Sequence, residues 1–203
     1  MSCTNAIAAN ILNSCDTIPR AGLEKDAWVI RHSSVRFTFG TLPLITGITT
    51  LNGAQFYTIR AYKKDKGVDF TLKREDSGDL FTHGFDIRPH EHDAVSIKHI
   101  DQLEGVVVIV ELKGEKTEGC FLAFGVDVGL WKSGSNQRVN NQRGIPVYDF
   151  KTPGYLGERY SRYVVWNTDY ETTKNMILKL TAGVTADQTT WSADSTVITA
   201  DMI

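Results

Sequence analysis

Residues 106–131 read "VVVIVELKGEKTEGCFLAFGVDVGLW", and how they fold decides the architecture. Two runs rich in β-branched and aromatic residues, "VVVIVELKG" and "GCFLAFGVDVGLW", flank the charged connector "KGEKTEG". Such runs favour strands, and a short glycine-bearing connector between them marks a hairpin.

The same signal extends in both directions. From Ala27 the chain reads "AWVIRHSSVRFTF", where Val35, Phe37 and Phe39 alternate with Arg36 and Thr38. That period of two fits a strand with one buried face. Strands are also expected at 54–62, 67–75 and 80–88, because "LNG", "KKDKG" and "DSGD" between them carry turn residues. Beyond the hairpin, the polar segment 132–144 reads as a long exposed loop, and strand signals return at 162–166 and 175–183.

One internal helix is expected in "DAVSIKHIDQLEG", residues 93–105. Ile97, Ile100 and Leu103 share one side at helical spacing, Asp93 is a candidate N-cap and Gly105 lies just past the end. "VSIKHI" also partly alternates, so a strand remains the alternative there. The expected fold is mainly β (α+β): a β-sandwich or barrel-like domain over residues 27–183, with one flanking helix and a long loop. Residues 1–26 are expected as an arm or short helix, with Ile7 and Ile11 on one side, and residues 184–203 as a C-terminal arm.

Composition narrows the function. The chain of 203 residues is 41% hydrophobic and 23% charged, which suits a globular domain with one sizeable core. A formal net charge of −2 provides no basic field for gripping nucleic acid phosphates. No apolar run is long enough to span a bilayer, and the start "MSCTNAIAANILNSCD" lacks the pattern of a secretory signal. Cys3, Cys15 and Cys120 are scattered and odd in number, as expected of free thiols in a reducing compartment.

Few residues carry chemistry. His90 and His92 have a metal-compatible spacing, with Asp86, Glu91 and Asp93 nearby. A zinc site needs about four ligands, however, and no second His or Cys cluster supplies the rest. Asp26, His32 and Ser33 are residue types of a catalytic triad, but Ser33 lacks the sharp turn of a nucleophile elbow. Glu75, Asp76 and Asp79 flank an expected turn and read as solvated. No catalytic residues and no cofactor are therefore expected, and the chain does not read as an enzyme. Trp28, Trp131, Trp166 and Trp191 are possible sugar-stacking platforms, although core packing or subunit contact is the commoner use of such residues. Leu130 and Trp131, with Arg138 and Arg143 of the polar loop, are the residues expected at a subunit interface.

Three stretches carry a resemblance: "CDTIPRAGLEKDAWVI", "QLEGVVVIVELKGEKTEGCFLAFGVDVGLW" and, after a long loop, "YVVWNTDYETTK". In this order they resemble virion structural proteins of tailed bacteriophages of Bacteroidota, including crAss-like phages, and are similar to tail-tube or tail-ring subunits. The resemblance implies a β-sandwich or barrel flanked by a helix, with identical subunits joined into a ring, hexameric or larger. It also implies contacts with other virion proteins, DNA passing through the lumen without specific binding, no membrane, and synthesis in the host bacterial cytoplasm. It brings no catalytic residues. A carbohydrate-binding or adhesion β-sandwich, such as a head fibre or decoration protein, is the alternative.

Overall fold

A run of consecutive apolar residues has no polar face to turn to water, and the strand Val106–Leu112 is covered on both sides. The structure is a computed structural model that describes residues 22–60, 66–75, 78–87, 98, 100–114, 116–136, 147–181 and 197–199. In chain order the strands are β1 (Leu23–Arg31), β2 (Val35–Phe39), β3 (Leu44–Thr50), β4 (Tyr57–Arg60), β5 (Lys66–Glu75) and β6 (Gly78–Ile87). They continue with β7 (Val106–Leu112), β8 (Phe121–Phe124), β9 (Trp131–Asn136), β10 (Val147–Lys151), β11 (Tyr163–Val165) and β12 (Val197–Thr199). Helix α1 (Tyr170–Lys179) precedes the last of them.

The strands form two open sheets. The larger has the order β12-β4-β1-β7-β8-β11-β3-β2, and the smaller β5-β6-β10-β9. β11 runs parallel to β3 and β12 parallel to β4, while the remaining pairs are antiparallel. The hairpin expected from residues 106–131 forms as β7 and β8, with Val108 opposite Phe124 and Glu111 opposite Phe121.

Alternation along these two strands builds two cores. Val106, Val108 and Val110 of β7 and Leu122 and Phe124 of β8 face the smaller sheet, where Phe85, Ile87, Tyr148 and Phe150 meet them. Val107, Ile109, Phe121 and Ala123 point the other way, into a core shared with Trp28, Tyr163 and helix α1. Burying both faces of a strand selects a near-continuous apolar run. The layers are therefore helix, eight-stranded sheet and four-stranded sheet.

Helix α1 begins where Asp169 accepts a hydrogen bond from the Thr172 backbone N–H at 2.8 Å, an N-cap that satisfies an otherwise orphaned donor. Its buried face is Tyr170, Thr173 and Ile177, at helical spacing. Tyr170 stacks on Phe121 with ring centroids 5.4 Å apart.

Several expectations are corrected. Segment 175–183, read as a strand, lies largely in α1; the Asp169 cap and the face from Tyr170 to Ile177 outweigh its apolar run. The run from Ala27 to Phe39 is broken by a 3-10 turn at His32–Ser34. The polar segment 132–144 begins as strand β9, which tolerates polar residues because among the described residues it is a sheet edge with one neighbour. β3 and β10 were not anticipated. β1 begins at Leu23, inside the expected N-terminal arm, and β12 lies inside the expected C-terminal arm. The sandwich form holds, and because neither sheet closes, the barrel form does not.

In the stretch expected as the internal helix, Lys98, Ile100 and Asp101 are helical, and the Gln102 N–H donates to the Lys98 carbonyl at 3.1 Å. Ile100 is buried in the core between the sheets, Leu103 packs against it, and Gly105 follows with φ of 56°. Asp93 and Ile97 lie outside the described residues, as do residues 4–14.

The two cores set the expected cost of substitution. Ile109→Ala should lower the unfolding free energy by about 2–5 kcal/mol, the range for removing methylenes from a packed interior. Tyr155→Ala, at 84% exposure, should stay within about 0.5 kcal/mol. Urea denaturation of both variants checks this.

Candidate functional site

The polar chemistry of the interior gathers at the turn 125–129, "GVDVG", which carries the chain from β8 to β9. Gly125 has a φ of 74°, and a Cβ there would lie 2.7 Å from the Val106 carbonyl oxygen. The turn can approach β7 that closely only with glycine. A turn drawn this far inward needs partners for its backbone groups. The Glu158 carboxylate accepts from the Asp127 N–H at 2.8 Å and from the Val128 N–H at 3.2 Å. His83 Nδ1 accepts from the Gly125 N–H at 3.1 Å, while His83 Nε2 donates to the Tyr160 carbonyl at 2.8 Å, as the neutral Nε2–H tautomer requires. His32 Nε2 bonds the Val126 carbonyl at 3.1 Å.

Asp127 is held in turn. Its carboxylate accepts from the Arg159 guanidinium at 2.7 and 3.0 Å, from the Arg159 backbone N–H at 2.9 Å and from the Tyr163 hydroxyl. Burial works to raise its pKa, but these partners outweigh it and hold the group below the usual aspartate range. Glu158 is fully buried, and burial pushes its carboxyl up to about 7, reinforced by the neighbouring Asp127 charge and opposed by the backbone N–H groups. Burial, followed by the hydrogen bond to Asp127, also raises the Tyr163 hydroxyl.

These two carboxylates have pKa values driven apart, as acid–base pairs do. Their surroundings argue for a seam instead. The Glu158 carboxylate bonds backbone N–H groups of the turn, and the residue's own strand bridge to Phe81 ties the segment 152–160 onto β6. The cluster thereby links the smaller sheet to the turn following β8.

A second buried group lies under α1. Tyr170 donates to Glu111 at 2.6 Å, and Lys174 donates to both Glu111 and the Tyr170 oxygen, at 3.3 and 2.9 Å. Burial and the bond to Glu111 raise the Tyr170 hydroxyl, the wrong direction for a phenolate base. Cys120 beside it is buried, and its thiol is pushed up to about 11 by burial and then by the Glu111 charge, so it is protonated and inert at neutral pH.

The residues singled out in the sequence are dispersed. His90, His92, Arg138, Arg143 and Trp191 lie outside the described residues. Among the described residues no group of three or more His, Cys, Asp or Glu is arranged to hold a metal. His32 bonds the 125–129 turn, so Asp26, His32 and Ser33 do not form a triad. Trp28 is fully buried in the core beneath α1, and Trp166 packs against that core. Leu130 is fully buried in the core between the sheets, which leaves its side chain no surface for a partner. Trp131, the next residue, is 45% exposed. His83, Asp127 and Glu158 were not anticipated; the only local trace is the Gly-x-x-x-Gly frame around Asp127, and the partners come from 83 and 158.

Searches of protein-family models, curated proteins and solved structures find no match to this chain. Among the described residues no helix is long and apolar enough to cross a membrane.

The split between the carboxylates gives a pH dependence. Glu158, with its pKa raised from 4.5 to about 7, contributes stability that is present below the unfolded value and lost as pH rises through about 7. Asp127, depressed, contributes above the ordinary aspartate value and loses that contribution in acid. Between about pH 5 and pH 8 the melting temperature should fall, with Glu158 accounting for about 3 kcal/mol. The two N–H groups bond different oxygens of Glu158, so Glu158→Gln keeps an acceptor for one of them, removes the titrating group and should flatten that slope. An unchanged slope in the variant would exclude Glu158 as its source.

Proposed function

We propose that the protein is a structural subunit of a tailed-phage virion, a tail-tube or tail-ring component that acts by assembling with copies of itself. The observation that carries this reading is the edge strand β9. Among the described residues it pairs only with β10, so its other side offers backbone N–H and C=O groups, and edges of this kind are templates for pairing with another chain. Trp131, Ser133 and Gly134 on it are exposed. Trp131 rests on Gly105, 3.2 Å from where a Cβ would stand, which leaves the indole supported beneath and open above. A rigidly seated, half-exposed indole on an open strand is the kind of anchor that dominates interface energies.

The charge pattern fits the same reading. A net charge of −2 gives no phosphate-gripping surface, as suits a lumen through which DNA must slide. The ionisable clusters are engaged internally and serve folding rather than turnover. In this reading the partners are identical subunits in a ring, then neighbouring virion proteins, and the mature location is the virion.

Sedimentation and negative-stain imaging of the purified full chain should show rings or tubes. Trp131→Ala should weaken subunit association by about thirtyfold, the loss of a hot spot worth about 2 kcal/mol, while leaving the circular-dichroism spectrum unchanged. A protein that stays monomeric at all accessible concentrations would overturn the assembly reading.

A further inference from the structure

A cavity of about 470 Å³ opens where β1 ends and β4 begins. It lies beside the 3-10 turn at His32–Ser34 and beneath the turn containing Gln102 and Leu103. That volume is within the range of small-ligand pockets. Val29, Val106 and Leu103 form an apolar floor. Around it stand Arg31, Ser34, Gln55, Tyr57 and Gln102.

The engagement of these five sets the cavity apart. Glu111, Asp127, Glu158, His83 and Lys174 all bond to other groups of the chain. By contrast, among the described residues none of the five cavity side chains makes a hydrogen bond or ion pair. Tyr57 is 46% exposed, and Arg31, Gln55 and Gln102 are exposed as well. Hydration satisfies them in the free protein, so their convergence on one concave site is available for a ligand.

The geometry points to a saccharide site, and specifically to a pyranose that carries a carboxylate. A pyranose presents an apolar C–H face and a periphery of hydroxyls. Tyr57 supplies a broad aromatic surface beside an apolar floor. The amides of Gln55 and Gln102 each offer a donor and an acceptor, and Ser34 a hydroxyl, which matches groups that both give and take hydrogen bonds. Arg31 is the one formal charge among the described lining residues, and its guanidinium matches a carboxylate in paired, planar geometry. A nucleotide would bring several phosphate charges against that single cation. A fatty acid would leave five polar side chains facing a hydrocarbon chain, which is costly. This assignment does not rest on the reading of subunit assembly through β9.

Titration calorimetry and saturation-transfer NMR on the full chain, with a glucuronate disaccharide and its neutral glucose counterpart, test the assignment. The acidic sugar should bind, and more tightly than the neutral one. Tyr57→Ala should weaken binding of both sugars by about tenfold or more, through loss of the stacking face. Arg31→Gln should abolish the preference for the acidic sugar while neutral-sugar binding persists. Each variant's melting curve should match that of the unaltered protein. The assignment is overturned if neither sugar binds at about 10 mM, the affinity floor of such weak sites. It is equally overturned if the neutral sugar is preferred, or if both variants bind as the unaltered chain does. Ring formation with no sugar binding would remove this site and leave the assembly reading intact; sugar binding by a permanent monomer would do the reverse.

Discussion

Strand β7 has no side that can face water, and the remainder of the fold follows from that constraint. Val107 to Val110 are each fully buried, and a fully buried aliphatic side chain is worth about 1.5–3 kcal/mol relative to an exposed one. That gain is realised only if both faces of the larger sheet are covered. The smaller sheet covers one through Phe85 and Phe150, and α1 covers the other through Tyr170 and Ile177. Each cover needs a tether, since a ten-residue helix does not hold itself together in water. The Glu111–Tyr170–Lys174 group ties α1 to β7 itself, and the Glu158 and His83 bonds tie the smaller sheet's side to the turn after β8.

This arrangement explains why acidic residues are buried beside so apolar a strand. Glu111 sits at the end of β7, where the alternation that places Val107 and Ile109 under the helix also brings its carboxylate within reach of Tyr170 and Lys174. Glu158 replaces the water that the Asp127 and Val128 N–H groups would otherwise need. Its ionisation is opposed by burial, so the seam is tighter on the acidic side of neutrality. Removing either partner would leave a buried polar group exposed to nothing, which costs more than the bond contributes.

The parts of the fold that were legible in the sequence are those set by local pattern. Val35, Phe37 and Phe39 alternate because β2 has one buried face, and the hairpin of β7 and β8 is marked by its own connector. The parts that were not legible depend on neighbours. β9 has the polarity of a loop, and only its pairing with β10 makes it a strand. α1 hides because "NMILKL" is apolar over both periods, and its start is set by Asp169, outside that run. The seam of His83, Asp127 and Glu158 has no sequence signature beyond the two glycines framing Asp127, since its members are drawn from three separate segments. Leu130 and Trp131 show the limit most plainly. Adjacent and both apolar, they fall on opposite faces, one in the core and one in solvent, and the alternation alone does not say which.

The two outward features of the molecule meet at one short segment. The cavity is lined by Gln102, Leu103 and Val106, and Trp131 at the start of β9 rests on Gly105 between them. Lys132, next along β9, pairs with Asp101 one residue before the cavity lining begins. A contact that presses on Trp131 therefore bears on the backbone that shapes the cavity wall. Gly105 sits at a positive φ of 56°, so the segment's path is set by a residue that other side chains would strain. If filling the cavity shifts this segment, thermodynamic linkage makes the effect reciprocal: whatever factor a bound ligand applies to assembly through β9, assembly applies to the ligand. Among the described residues, segment 101–106 both supports Trp131 at the start of the open strand β9 and lines the cavity.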